Sequence, residues 1–138
     1  MKWPGGKREL VNHLLPLFPE RFGRYFKPFA GGAAVFFALS PRRAVLADTN
    51  GDLINCYIQV RDQPEEVIKR LAEMPNTELD YYAIRAAGPI DPVIQAARLI
   101  YLTSLSFNGI HRVNLIGQFN VPYGRKLHIK PLDPVRIR

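Results

Sequence analysis

Cysteine is almost missing from this chain: Cys56 stands alone among 138 residues, so no internal disulfide can form. A reducing compartment is the natural setting. No group of Cys and His has zinc-site spacing, so no metal is expected. No apolar run approaches the ~18 residues of a membrane helix, and the opening Met1-Lys2-Trp3-Pro4-Gly5-Gly6 lacks the apolar stretch of a signal peptide. The expectation is a cytoplasmic protein. Repeats and low-complexity tracts are also missing, which excludes solenoids and linker-like segments. Two nucleotide signatures are absent as well. Without Gly-x-Gly-x-x-Gly a nicotinamide dehydrogenase is disfavoured, and without Gly-x-x-x-x-Gly-Lys-Ser/Thr a phosphate loop is excluded.

What is present suffices for one globular unit. At 47% hydrophobic residues, a domain of this size removes roughly two thirds of its unfolded surface from water. Its charge is uneven: +4 from Met1 to Ala30, −3 from Gly31 to Asp91, and +6 from Pro92 onward. Two basic stretches flanking an acidic one suit a polyanion such as nucleic acid, although basic residues also serve simply to solvate a surface.

Periodicity gives the elements. Leu10, Val11, Leu14, Leu15 and Phe18 form a helical stripe over Lys7 to Phe18, frayed at Pro16. Arg24 to Phe29 is a short aromatic strand leading into Gly31-Gly32, and a helix from Ala33 to Leu39 follows. Arg43 to Asp48 has the look of a buried parallel strand closed by a carboxylate. Helices are expected over Asp52 to Val60, with Cys56 on its apolar face, Pro64 to Met74, Thr77 to Ala86 and Pro92 to about Ser106. Strand, glycine turn, helix, strand, acid, helix is the first half of an open α/β sheet with a nucleotide-binding edge. From Phe107 to Gly124, glycines and asparagines separate short apolar stretches, which predicts a loop and hairpin.

Four stretches carry candidate chemistry. Pro28-Phe29-Ala30-Gly31-Gly32-Ala33-Ala34 lets a backbone approach a ligand closely. Asp48, closing the second strand, can accept from ribose hydroxyls, or else it or Asn50 caps the next helix. Lys2-Trp3-Pro4-Gly5-Gly6-Lys7 offers an aromatic face and two cations, or only a packed terminus. Phe107-Asn108-Gly109-Ile110-His111-Arg112-Val113-Asn114 and Gln118-Phe119-Asn120-Val121-Pro122-Tyr123-Gly124-Arg125-Lys126 interleave polar, basic and apolar residues. That mixture suits base-edge readout, wedging and phosphate anchoring, while an ordinary hairpin would turn Phe119 and Val121 to the core.

Taken in order, Lys2-Trp3-x-Gly5-Gly6-Lys7, Pro28-Phe29-x-Gly31, Leu46-Ala47-Asp48-x-Asn50, Phe107-Asn108-Gly109 and Arg112-x-Asn114-x-x-Gly117-x-Phe119-Asn120-Val121-Pro122-Tyr123-Gly124 resemble the Dam-type (alpha-group) DNA adenine methyltransferases. The resemblance spans nearly the whole chain. It implies a fold that is α/β: a partial S-adenosylmethionine-dependent methyltransferase (Rossmann-like) sheet with a helical and hairpin DNA-recognition insertion. Residues 1–60 would be the cofactor-binding part and residues 61–138 the recognition region, with the hairpin at about 107–124. The resemblance further implies an S-adenosylmethionine pocket built on Trp3, Lys7, Phe29, Gly31 and Asp48, with Asp48 on the ribose. For double-stranded DNA it implies Phe107, Asn108 and Ile110 at an intercalation site, Arg112 at a guanine edge and Pro122 against a thymine methyl. Lys2 would touch a flanking base, Asn114 would belong to the same hairpin, and Arg125 would anchor phosphate. GATC is the word that such a hairpin suggests.

Two departures matter. Ala33 stands where the family has the last glycine of Phe-x-Gly-x-Gly, and Lys27 where it has an acid. If φ at Ala33 is positive, its methyl costs on the order of 1 kcal/mol and crowds a cofactor. The Asp-Pro-Pro-Tyr motif that holds the adenine amine is absent, and Asp133-Pro134-Val135 lacks both the second proline and the aromatic residue. No catalytic residue is therefore assigned. The expectation is the cofactor half and recognition hairpin of a methyltransferase whose catalytic half is missing: inactive alone, with open sheet edges prone to self-association. The alternative is a non-catalytic, sequence-selective DNA-binding module.

Overall fold

The centre of the structure is a helix rather than a sheet. The computed structural model describes residues 3–126. Elements are numbered in chain order: α1 (Val11–Leu14), β1 (Tyr25–Lys27), α2 (Ala34–Leu39), β2 (Ala44–Leu46), α3 (Gly51–Asp62), α4 (Pro64–Ala72), α5 (Glu78–Ala86) and α6 (Pro92–Leu105). Pro92 begins α6, where its missing N–H costs nothing, and Asp91 caps the helix by accepting from the Ile94 N–H at 2.9 Å. Because α6 is apolar on most sides it is buried on most sides. Ala96, Ala97, Leu102, Thr103 and Leu105 exclude solvent almost completely.

The helices α3, α4 and α5 pack around α6. One cluster joins Cys56 and Val67 to Val93, Ala96, Leu99 and Ile100, with Trp3 against its edge. A second joins Tyr81 of α5 and Tyr101, Leu102 and Leu105 of α6 to Phe119 and Val121 of the C-terminal loop. The half-buried Arg98 donates to the carbonyls of Ile84 (2.8 Å) and Arg85 (2.6 Å), satisfying the C-terminal end of α5. Cys56 is buried as its helix position predicts, and burial pushes its thiol up to about 12.

The strands β1 and β2 pair in parallel, Tyr25 opposite Ala44 and Lys27 opposite Leu46, with α2 in the connection between them. The fold is therefore mixed α/β with a small parallel two-stranded sheet. Here the expectation of a buried second strand is corrected. Phe26 is 64% and Val45 44% exposed, and Ala44 is exposed too. One face of the pair is covered, since the Tyr25 ring meets Phe18 and Phe36. A parallel strand is buried on both sides only when both faces are covered, and here the Arg24 guanidinium over the Phe26 ring, 5.8 Å from its centroid, still leaves Phe26 and Val45 exposed.

The first helical stripe is also corrected. Instead of one helix from Lys7 to Phe18, the chain forms a 3₁₀ turn (Arg8–Leu10), the single turn of α1 and a second 3₁₀ turn (Leu15–Leu17). Lys7 provides no side-chain cap, and Pro16 removes a donor. The hairpin, too, is looser than a strand ladder, held by isolated antiparallel bridges between Ser106 and Tyr123 and between Val113 and Phe119. Among the described residues no helix is long and apolar enough to cross a membrane.

Candidate functional site

The turn after β1 is fixed from two directions. The Ala30 N–H donates to the Ala47 carbonyl at 2.8 Å, tying the turn to the end of β2. Gly31, at φ +50°, donates its N–H to Asp48 Oδ2 at 2.9 Å, while its carbonyl accepts from the Tyr57 hydroxyl of α3 at 2.5 Å. Burial holds the Tyr57 phenol well above its ordinary value, so it remains a donor. Ala33 has φ +48°, the conformation in which its methyl is strained.

The helix cap that sequence alone leaves open between Asp48 and Asn50 falls to Asn50. Asn50 caps α3, accepting from the Leu53 N–H at 3.0 Å, and Asp48 Oδ1 accepts from the Asn50 N–H at 3.0 Å. The hydrogen bond from Gly31 holds the Asp48 carboxyl below the usual carboxylate range. Partial burial opposes this, while the N–H groups of Asn50 and Thr49 and the charge of Lys27 reinforce it. The carboxylate is thus ionised and aimed, and its two oxygens together retain accepting capacity beyond these backbone bonds.

Around this turn lies an open cavity of about 380 Å³. Its lining includes Trp3, Lys7, Phe29, Gly31 and Asp48, the whole of the sequence-derived cofactor set, and adds Lys27 and Ala33. Phe29 is 74% exposed and offers a free ring face. Trp3 is more constrained. A Cβ built on Gly31 would lie 3.3 Å from Trp3 Cδ1, and one on Gly32 3.2 Å from Trp3 Cβ, so the indole rests directly on the glycine turn.

The C-terminal loop presents its own set. The Phe107 N–H donates to the Pro122 carbonyl at 2.9 Å, which brings these two expected DNA contacts together at the base of the loop. Asn108 (φ +53°) and Gly109 (φ +65°) turn the chain sharply, leaving Phe107 and Ile110 exposed. Arg112 Nε donates to Asn120 Oδ1 at 2.8 Å, so the guanidinium is braced across the hairpin. Asn114 is a turn builder: its Oδ1 accepts from the N–H groups of Ile116 (3.1 Å) and Gln118 (2.9 Å), and its amide donates to Gln118 Oε1. Arg125 is exposed at φ +50°. Lys2 and Asp133-Pro134-Val135 lie outside the described residues.

Phe119 and Val121 do face the core, and the Val121 carbonyl accepts from Tyr81 Oη (2.9 Å) and Arg85 Nη1 (3.1 Å). At Gly124 a Cβ would sit 2.7 Å from the Ser106 carbonyl oxygen, so only glycine fits. The loop is therefore docked at its base while Leu115 and Ile116 at its tip stand in solvent. Sequence reasoning missed Tyr57, the bracing of Arg112 by Asn120 and the lining role of Lys27, because these depend on partners that are distant or across a turn and leave no local pattern.

Comparison with known proteins decides the family. Residues 3–136 match the D12 class N6 adenine-specific DNA methyltransferase family. The chain belongs to that family. Among curated relatives of this D12 chain, the type II methyltransferase M1.LlaDCHI of Lactococcus lactis subsp. cremoris is 45% identical over 96% of the chain and 49% of the relative. A DNA adenine methylase of Haemophilus influenzae is 35% identical over 99% of the chain and 50% of its own length. That of Escherichia coli K12 is 36% identical over 97% and 49%. The D12 chain thus spans about half the length of the curated relatives it matches. Its cavity and its docked loop both fall within the matched residues.

Proposed function

We propose that this chain carries the cofactor-holding and DNA-reading parts of a site-specific DNA adenine methyltransferase, an activity that moves a methyl group from S-adenosylmethionine to the exocyclic amine of adenine in duplex DNA. The observation that carries the reading is the gathering of Trp3, Lys7, Phe29, Gly31 and Asp48, from separate stretches of chain, around one cavity. The donor set fits the ligand. Asp48 accepts from ribose hydroxyls, Lys7 pairs with the carboxylate, and Phe29 and Trp3 supply aromatic surface for adenine. When bound, S-adenosylmethionine supplies an electrophilic methyl group on a sulfonium.

Within this reading, residues 1–60 bind and orient the cofactor and residues 61–138 position the duplex. Phe107, Asn108 and Ile110 wedge into the base stack, Arg112 reads a guanine edge in the orientation set by Asn120, and Asn114 shapes the turn that presents it. Pro122 meets a thymine methyl, Arg125 a phosphate and Lys2 a flanking base. No residue is assigned to the adenine amine, because the sequence contains no Asp-Pro-Pro-Tyr.

The test is calorimetry with S-adenosylmethionine alongside tritium transfer to a GATC-containing duplex. The 138-residue chain should bind the cofactor, lose that binding on Asp48→Ala, and transfer no label. Transfer by the chain alone would overturn the absence of catalysis. Failure to bind S-adenosylmethionine, with salt-dependent duplex binding retained, would replace this reading with a non-catalytic, sequence-selective DNA-binding module.

A further inference from the structure

His111 has no part in the assignments above, yet it is where the hairpin meets the cavity. Its imidazole stacks on the Trp3 indole with ring centroids 4.6 Å apart and planes inclined by 24°. It also meets Phe119 edge to face at 5.5 Å, and Phe119 is buried among the α5 and α6 side chains. Trp3 in turn rests on Gly31 and Gly32, and Gly31 is gripped by Asp48 and Tyr57. Contact is therefore continuous from the core beneath the hairpin to the turn lining the cavity.

We propose that His111 is a positioning residue for the cofactor cavity: carried by the DNA-reading hairpin, it holds the Trp3 indole against the Gly31-Gly32 turn. The inference rests on the cofactor reading of that cavity. The docked hairpin then buttresses one wall of the cavity, because Trp3, which also rests on the turn and on the edge of the helical core, has its stacking partner on the hairpin. A flat aromatic ring suits position 111, since stacking needs an aromatic partner and a small side chain would leave the indole face uncovered. The ring should be neutral when stacked. Burial lowers the His111 pKa from its ordinary value, Asp52 on α3 being the charged group that opposes this, so acidification introduces a charge that the site disfavours.

Trp3 is the sole tryptophan of the chain, so intrinsic fluorescence reports on this contact directly. The experiment measures S-adenosylhomocysteine affinity by calorimetry, and Trp3 emission, over about pH 5 to 8 in the wild-type chain, His111→Ala and His111→Phe. Removing the ring should weaken affinity about three- to tenfold, the factor an aromatic pair supplies, and phenylalanine should restore it. Wild-type affinity and emission should change together as pH falls below 6.5, while His111→Phe stays flat. Wild-type affinity in His111→Ala, or a persisting pH response in His111→Phe, would overturn the inference while leaving the cofactor reading intact. A wild-type chain that binds no S-adenosylhomocysteine would overturn both. Should melting show that His111→Ala is unfolded, the pH profile of His111→Phe decides.

Discussion

Ala33 sets opposing small terms against one another at a single residue. Relieving its left-handed backbone with glycine recovers about 1–2 kcal/mol, but removes a buried methyl worth about 0.8 kcal/mol and adds backbone entropy of about 0.5–1 kcal/mol. Ala33→Gly should therefore change stability by less than about 1 kcal/mol in either direction. Ala33→Val, β-branched at φ +48°, should destabilise by about 2 kcal/mol or more in urea melts. Asp48 adds a pH dependence of known sign. Its pKa is lowered on folding, so its contribution is present above the ordinary value of 3.8 and is lost as pH falls through the folded value. Asp48→Asn should flatten that acid limb of stability and loosen the Gly31 turn, as amide exchange at Gly31 would reveal.

Among the elements, the sheet is the exposed part and the helices are the stable part. Phe26 and Val45 lie on neighbouring strands at paired positions, both solvent-facing, and an apolar patch on a two-stranded sheet invites pairing with another copy. Sedimentation should show concentration-dependent self-association, reduced by Phe26→Lys with Val45→Lys. An unchanged mass distribution would place the association elsewhere. The contrast also explains what was legible in the sequence. The helices α3 to α6 were read within a few residues, because their start signals are local: Asn50, Thr77 and Asp91 cap α3, α5 and α6, and Pro64 and Pro92 open α4 and α6. The strands were read in place but not in burial, which depends on what covers them. The stripe from Leu10 to Phe18 misled because periodicity is silent on whether a cap exists. The cavity residues were legible through motif order, whereas Tyr57 and His111 act through contacts spanning 26 and more than 100 residues of chain.

At the scale of the whole molecule, the +4 and +6 stretches flank an acidic middle, so duplex affinity should fall steeply with salt. Arg112→Ala should erode sequence preference, since its guanidinium is braced at a fixed angle by Asn120. Arg125→Ala should weaken all duplexes alike and reduce the salt slope by about one. Equal losses on cognate and random duplex for both variants would remove the direct-readout role of Arg112.

The Val121 carbonyl, receiving both Tyr81 and Arg85, makes the hairpin a cantilever. Its root is clamped to α5, and its free end carries Leu115 and Ile116. Under the proposed DNA reading, a duplex meeting the tip would bear on an arm whose fixed points all lie at its base. A protease that severs the peptide beside Ile116 would cut the chain without dismantling the arm, because Val113 still pairs with Phe119 and both halves stay moored to the helices.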